Sequence, residues 1–136
     1  MGTLVAPVGR TFVSADLGSG EPTVCSHFSQ DPMYRYAVLE GIGKAPTYRD
    51  GVLMIDDIYL MCASFSPIHG EEMRAAFNRT WPAGSFADQW LADPDHIKSA
   101  LKTLRNFNKM SQLAYGYGMR PAKHVRQSYD QGYVIS

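Results

Sequence analysis

The chain has 136 residues, a common size for one domain, and 19% of them are charged against a usual share of about 25%. With 13 basic and 13 acidic residues the net charge is zero, which makes the whole chain a poor nonspecific ligand for nucleic acid. We therefore expect a single domain with a surface poor in charge that associates with other protein chains.

The N-terminal sequence and the apolar runs argue against secretion and membrane insertion. Residues 1–18 lack the charged start and the continuous apolar core of a signal peptide. Asp56 and Asp57 interrupt the longest apolar run, so no stretch is apolar enough to span a bilayer. We expect an intracellular soluble protein, or part of a particle assembled in the cytoplasm, without a cofactor and with reduced thiols at Cys25 and Cys62.

The first half of the chain predicts an arm and a hairpin. Residues 1–33 are interpreted as an irregular arm with edge strands, because prolines and glycines interrupt short β-prone pieces. Residues 34–42 and 51–65 are mainly apolar and aromatic, and a loop of turn-forming residues joins them. The pattern predicts a β-hairpin over 34–65, whose second strand is apolar on both faces and therefore central in a sheet.

Helices are predicted over residues 66–115. Ser66 and Pro67 have the N-cap and first-turn signature of one helix, and Ser85 can cap a short second one. Residues 94–115 are expected to form one helix of about 20 residues. Its apolar face consists of Ile97, Leu101, Leu104, Phe107 and Ala114.

Residues 116–136 are predicted to be a basic tail rich in tyrosine and glycine. The elements together predict a small single α+β domain. It would contain a hairpin-based antiparallel sheet with two or three helices packed on it, an extended N-terminal arm and an extended C-terminal tail.

One short segment, SPIHGEE, contains a histidine and two glutamates within four positions. His69 and Glu72, together with Asp57, could form an acid/base or metal cluster. The alternative is the first turn of a helix, where Glu71 and Glu72 interact favourably with the helix dipole and have no catalytic role. We favour the helix turn, since strongly perturbed acid/base groups are a minority of ionisable residues.

A second possible metal site is the Cys25-Ser26-His27 sequence, which could supply two ligands. A single C-x-H pattern is weak evidence for a metal site. A buried thiol next to a surface histidine is therefore the favoured interpretation.

Charge is distributed unevenly along the chain. Residues 1–97 contain 6 basic and 12 acidic residues, whereas 98–136 contain 7 basic and 1 acidic residue. Four of the basic residues fall on one face of the predicted long helix, where like charges repel each other unless an anionic partner is near. The predicted partner-binding residues are Lys98, Lys102, Arg105, Lys109, Tyr115, Tyr117, Arg120, Lys123 and Arg126.

This charge pattern favours assembly as the function. The acidic part of one copy could dock on the basic part of another, and contacts with other chains would order the terminal arms. We therefore expect a structural subunit of a homo-oligomer or larger particle, for example a viral or phage structural component. Its partners would be other copies and other protein chains. One alternative is a small enzyme or enzyme subunit that uses His69, Glu72 and Asp57. The other is a nucleic-acid-binding module that uses the basic helix face, which is possible but not favoured.

Overall fold

The computed structural model describes residues 3–17, 20–116, 118 and 120–132. The structure is 58% helical, and its described residues form eight α-helices, one π-helix and one two-stranded antiparallel sheet. The prediction of a sheet-based α+β domain with two or three helices is therefore wrong. None of the helices in these residues has both the length and the apolar character that crossing a membrane requires.

The N-terminal part contains helices where strands were predicted. Residues 3–17 have no helix or strand, and α1 (Gly20–Ser29), α2 (Pro32–Arg35) and a π-helix (Tyr36–Glu40) follow. The predicted strand over 34–42 is helical because Asp31 caps α2: its carboxylate accepts the amide hydrogens of Met33 and Tyr34. A proline at the first helical position adds to this start signal.

A hairpin is present, but it is shorter than predicted. Strand β1 (Thr47–Arg49) pairs antiparallel with β2 (Val52–Met54), with Tyr48 opposite Leu53. The two turn residues between the strands have positive φ angles of 51° and 79°, as the tight type I′ turn requires. The hairpin therefore covers only the middle of the predicted 34–65 segment.

The second half of the predicted 51–65 strand forms α3 (Ile58–Phe65). Seven of the eight residues of α3 are buried. A helix buried on all sides and a strand buried on both faces give the same continuous apolar run in a sequence, and that explains the wrong prediction.

The C-terminal part consists of five helices, α4 (Gly70–Asn78), α5 (Phe86–Ala92), α6 (Pro94–Ala100), α7 (Lys102–Gly116) and α8 (Pro121–Asp130). The helix predicted over 94–115 is broken at Leu101, which leaves helical geometry with φ −104° and ψ 24°. The segment predicted as an extended tail contains α8.

Helix α3 lies at the centre of the fold, between β2, α4 and α7. Four residues of the apolar face predicted for the long helix are buried: Ile97, Leu101, Leu104 and Phe107. They are divided between α6, the break at Leu101 and α7, and α7 packs beside α3 instead of covering a sheet. The side chain of Ala114 lies outside what the structure describes. The large apolar core side chains with less than 2% exposure include Leu53, Ile55, Leu60, Met61, Met73, Phe86, Ile97 and Leu104.

Candidate functional site

Asp57, a predicted catalytic candidate, caps α3 and pairs with α7. Its Oδ1 accepts the amide hydrogens of Tyr59 and Leu60, each at 3.0 Å. Its Oδ2 accepts from Arg105 Nε at 2.8 Å, and the Asp57 side chain is only 4% exposed. Both oxygens therefore already have donors, and the carboxylate holds two core helices together.

His69, the second catalytic candidate, lies just before α4 and contacts α7. Its ring packs edge-on against Phe107 with 5.0 Å between ring centroids, and Nδ1 lies 3.4 Å from Asn108 Nδ2. Burial lowers the pKa of His69 below its ordinary value of 6.5, and the charge of Glu72 partly opposes this shift. At neutral pH the ring is therefore largely uncharged and able to accept a proton.

The glutamates beside His69 are in the first turn of α4. Glu71 and Glu72 are both exposed, which places them where the positive end of the helix dipole favours negative charge. Of the three predicted catalytic residues, Asp57 is thus engaged with Arg105, while the charge of Glu72 acts on His69 only by raising its pKa against the effect of burial.

The two cysteines have opposite environments, and neither lies in a metal cluster of the described residues. Cys25 is exposed and Cys62 is buried, and no group of three His, Cys, Asp or Glu residues within the described ranges could hold a metal ion. Burial, followed by the charges of Asp57 and Asp31, raises the pKa of the Cys62 thiol to about 12. Gln112 Nε2 lies 3.1 Å from its sulfur.

His27, the other proposed metal ligand, lines an open cleft of about 300 Å³ between α1 and the π-helix. Its ring packs edge-on against Phe28, with 5.2 Å between ring centroids. The remaining cleft residues are Thr23, Ser26, Gln30, Arg35, Val38 and Leu39.

The predicted basic face is divided between two helices. Lys98 is on α6, where it lies 3.7 Å from the exposed Asp95 and above the Trp90 ring. Arg105 is directed into the fold by Asp57. Lys102 and Lys109 are exposed on α7. The face therefore combines one structural cation with exposed ones.

The C-terminal basic residues lie around α8. Arg120, Lys123 and Arg126 are exposed. Tyr117 and the side chain of Tyr115, which were predicted to bind a partner, lie outside what the structure describes.

His124, in the segment predicted to be an extended basic tail, is only 4% exposed. Its Nε2 lies 2.8 Å from Ser111 Oγ, and its ring lies against Phe107 at 5.8 Å between centroids. Phe107 therefore contacts a histidine from α8 in addition to His69. The flanking Pro121 and Gly132 were the sequence signals for a helix that would position His124.

A large apolar surface was not predicted. Among the described side chains fifteen large hydrophobic ones are exposed, and six of them lie in residues 3–17. From here on the N-terminal arm means residues 3–17, which is shorter than the arm predicted over 1–33. These six are Leu4, Val5, Val8, Phe12, Val13 and Leu17, with exposures from 63% to 105%. Comparison of the chain with protein-family models, curated proteins and solved structures gave no match.

Proposed function

We propose that the protein is an interaction subunit of a homo-oligomer or larger particle, and that it associates through the N-terminal arm. The observation that supports this most is the exposure of six large apolar side chains on a segment without helix or strand. Contiguous exposed apolar surface is typical of protein interaction sites. A partner surface that covers the arm would remove these side chains from water.

The free energy available from the arm is comparable to the free-energy cost of association. Full burial of a large apolar side chain contributes about 1.5–3 kcal/mol, so six of them give on the order of 10 kcal/mol. The loss of translational and rotational freedom on association opposes this by about 4–15 kcal/mol. The arm could therefore drive association when a few further contacts add to it.

Further apolar exposure follows the arm in the chain. Val24 and Phe28 are spaced four residues apart on one side of α1, and they are 56% and 81% exposed. Leu39 in the π-helix and Ile42 after it are 62% and 63% exposed. These residues would extend the surface that the arm offers.

A matched pair of variants tests this proposal by mass measurement in solution. We expect the full chain to form an oligomer whose mass rises with concentration. Replacing Val8, Phe12 and Val13 by serine should weaken its association at least tenfold. The control is Leu91→Ser, an exposed apolar change on α5 that should leave the mass unchanged. A monomeric wild-type chain at every concentration would rule out the proposal.

The basic residues of α7 and α8 favour nucleic-acid binding as a second candidate function. Lys102, Lys109, Arg120, Lys123 and Arg126 are exposed, and within the described residues no carboxylate lies within ion-pair distance of them. A phosphate backbone would neutralise such a set without sequence preference.

Charge reversal separates the two candidates. Changing Lys102, Lys109, Lys123 and Arg126 to glutamate retains the structural Arg105. Loss of oligonucleotide binding at unchanged oligomer mass would support the nucleic-acid function. If binding is only weakened, the log affinity of the variant for the oligonucleotide should depend less steeply on log salt than that of the wild type. Loss of oligomer mass without any oligonucleotide binding by the wild-type chain would instead assign these cations to the protein interface.

A further inference from the structure

The two strands of the hairpin have different outer edges. Residues that face each other in an antiparallel pair alternate between hydrogen-bonded and non-hydrogen-bonded pairs. The two-residue turn makes Arg49 and Val52 the hydrogen-bonded pair that closes the hairpin. Tyr48 and Leu53 are then the next, non-hydrogen-bonded pair, so their backbone N–H and C=O groups point away from the partner strand.

The outer edge of β2 is closed by α3. The Leu53 amide donates a hydrogen bond to Ser64 Oγ at 2.9 Å, and the Ser64 hydroxyl donates to the Met61 carbonyl at 2.6 Å. A helix side chain thus takes the place that a third strand would have beside β2.

The outer edge of β1 is open. In the part of the chain that the structure describes, neither the amide nor the carbonyl of Tyr48 has a hydrogen-bond partner. The neighbouring Thr47 and Arg49 are exposed. An edge of this kind is a template for an additional strand.

The side chains beside this edge suit an apolar partner strand. The Tyr48 ring packs edge-on against Phe77 at 4.9 Å, and the Arg74 guanidinium lies 4.3 Å from its centre. The Tyr48 hydroxyl is buried and has no hydrogen-bond partner among the described residues. An aromatic or apolar side chain on an added strand could pack next to the two rings.

We propose that the N-terminal arm of a second copy adds to the outer edge of β1 as a third strand. This inference rests on the proposed function, because it assigns the docking place of the same arm. Residues 10–15, RTFVSA, contain no proline and are rich in β-prone residues. In the described residues the sheet has only two strands, so the arm does not pair with β1 of its own chain.

A second copy is the partner because one chain contains both complementary parts. The arm has exposed apolar side chains and a backbone that is not paired in a sheet, and β1 has an unpaired outer edge. If two copies related by a twofold axis exchanged their arms, each arm would pair with the β1 edge of the other copy, so both arms and both edges would be paired.

Residue-resolved hydrogen exchange of the full chain tests the strand addition without any substitution. We expect the Tyr48 amide to exchange at least tenfold more slowly under assembled conditions than in dilute solution. The Leu53 amide, already bonded to Ser64, is the internal control and should not change. Oligomerisation with unchanged Tyr48 exchange would overturn the strand addition and leave the proposed function in place. A chain that stays monomeric would overturn both.

A pair of substitutions isolates the edge amide. Tyr48→Ala and Tyr48→Pro both remove the ring, but only proline removes the outward N–H, and proline is tolerated where an edge amide faces solvent. We expect the proline variant to associate at least tenfold more weakly than the alanine variant. Equal association of the two variants would overturn the assignment of this edge.

Discussion

Arg105 donates a hydrogen bond from Nε to Asp57 Oδ2 at 2.8 Å, across 48 positions of sequence, and so ties α7 to the start of α3. The sequence placed these residues in two different candidate sites, one for catalysis and one for partner binding. In the fold their charges neutralise each other, and this ion pair should contribute to the stability of the fold.

Substitution of either partner of this pair should destabilise the fold. Asp57→Ala removes the cap of α3 as well as the ion pair, and should lower the free energy of unfolding by roughly 2–4 kcal/mol. Arg105→Gln should lower it by about 1–3 kcal/mol, because the remaining carboxylate keeps its two amide donors. Urea denaturation of both single variants and the double variant should give a coupling energy of about 0.5–3 kcal/mol.

The control for the ion pair is Lys98→Gln. The distance from Lys98 Nζ to Asp95 Oδ1 is 3.7 Å, longer than the 2.8 Å between Arg105 and Asp57, and the Asp95 side chain is 89% exposed. The substitution should change the free energy of unfolding by less than about 1 kcal/mol. A similar loss of stability in Lys98→Gln and Arg105→Gln would mean that the buried pair contributes no more to the free energy of unfolding than an exposed one.

Leu104 should be a strong determinant of stability, because its side chain is 1% exposed in the core. Leu104→Ala is expected to lower the free energy of unfolding by about 2–5 kcal/mol through lost burial and a cavity. The same change at Leu91, which is 53% exposed, should have an effect within about 0.5 kcal/mol. Denaturation curves that rank the two variants in the opposite order would show that the Leu104 side chain of α7 is not in the core.

His69 should make the fold less stable in acid. Its folded pKa lies below 6.5, so the unfolded chain binds more protons at this site, and stability decreases as pH falls through and below 6.5. His69→Asn should remove part of that decrease. The measurement is the free energy of unfolding between pH 8 and pH 5, at a salt concentration that is held constant.

The charge of Glu72 should have a measurable effect on the pKa of His69. Glu72 raises the pKa of His69, so Glu72→Gln should shift the midpoint of an NMR titration of His69 to lower pH. Glu71→Gln is the matched control, since Glu71 is not among the causes of the shift. Equal midpoints in wild type and Glu72→Gln would contradict an effect of the Glu72 charge on the pKa of His69.

The two thiols should react at very different rates. Cys25 is exposed, whereas burial raises the pKa of Cys62 to about 12, so almost no thiolate forms there at neutral pH. A thiol reagent should label one cysteine per native chain and two after denaturation. Cys25→Ser should abolish the rapid reaction, and rapid labelling that persists in this variant would show that Cys62 is accessible.

Local signals in the sequence predicted several helix starts, but the tertiary environment decided other elements. Ser85 caps α5, and Asp93 with Pro94 starts α6, because capping depends only on neighbouring residues. Asp31 with Pro32 has the same signature, yet the aromatic and β-branched residues after it favoured a strand. Propensity in such a short segment is weaker than a cap combined with packing.

The candidate site was less predictable than the fold. The association of Asp57 with Arg105 depends on how α7 lies against α3, which no spacing in the sequence encodes. The break at Leu101 carries no glycine or proline, so a continuous apolar face concealed it. The burial of His124 requires α8, and the basic composition of that segment obscured its helical pattern.

The hydrogen bond between Leu53 and Ser64 also bears on the order of folding events. The two residues are 11 positions apart, whereas Asp57 and Arg105 are 48 apart, so closing the first loop sacrifices less chain entropy. We expect the hairpin and α3 to form together in the transition state, before α7 docks. Ser64→Ala should then slow refolding, while Arg105→Gln should mainly accelerate unfolding, and stopped-flow kinetics that show the reverse would exclude this order.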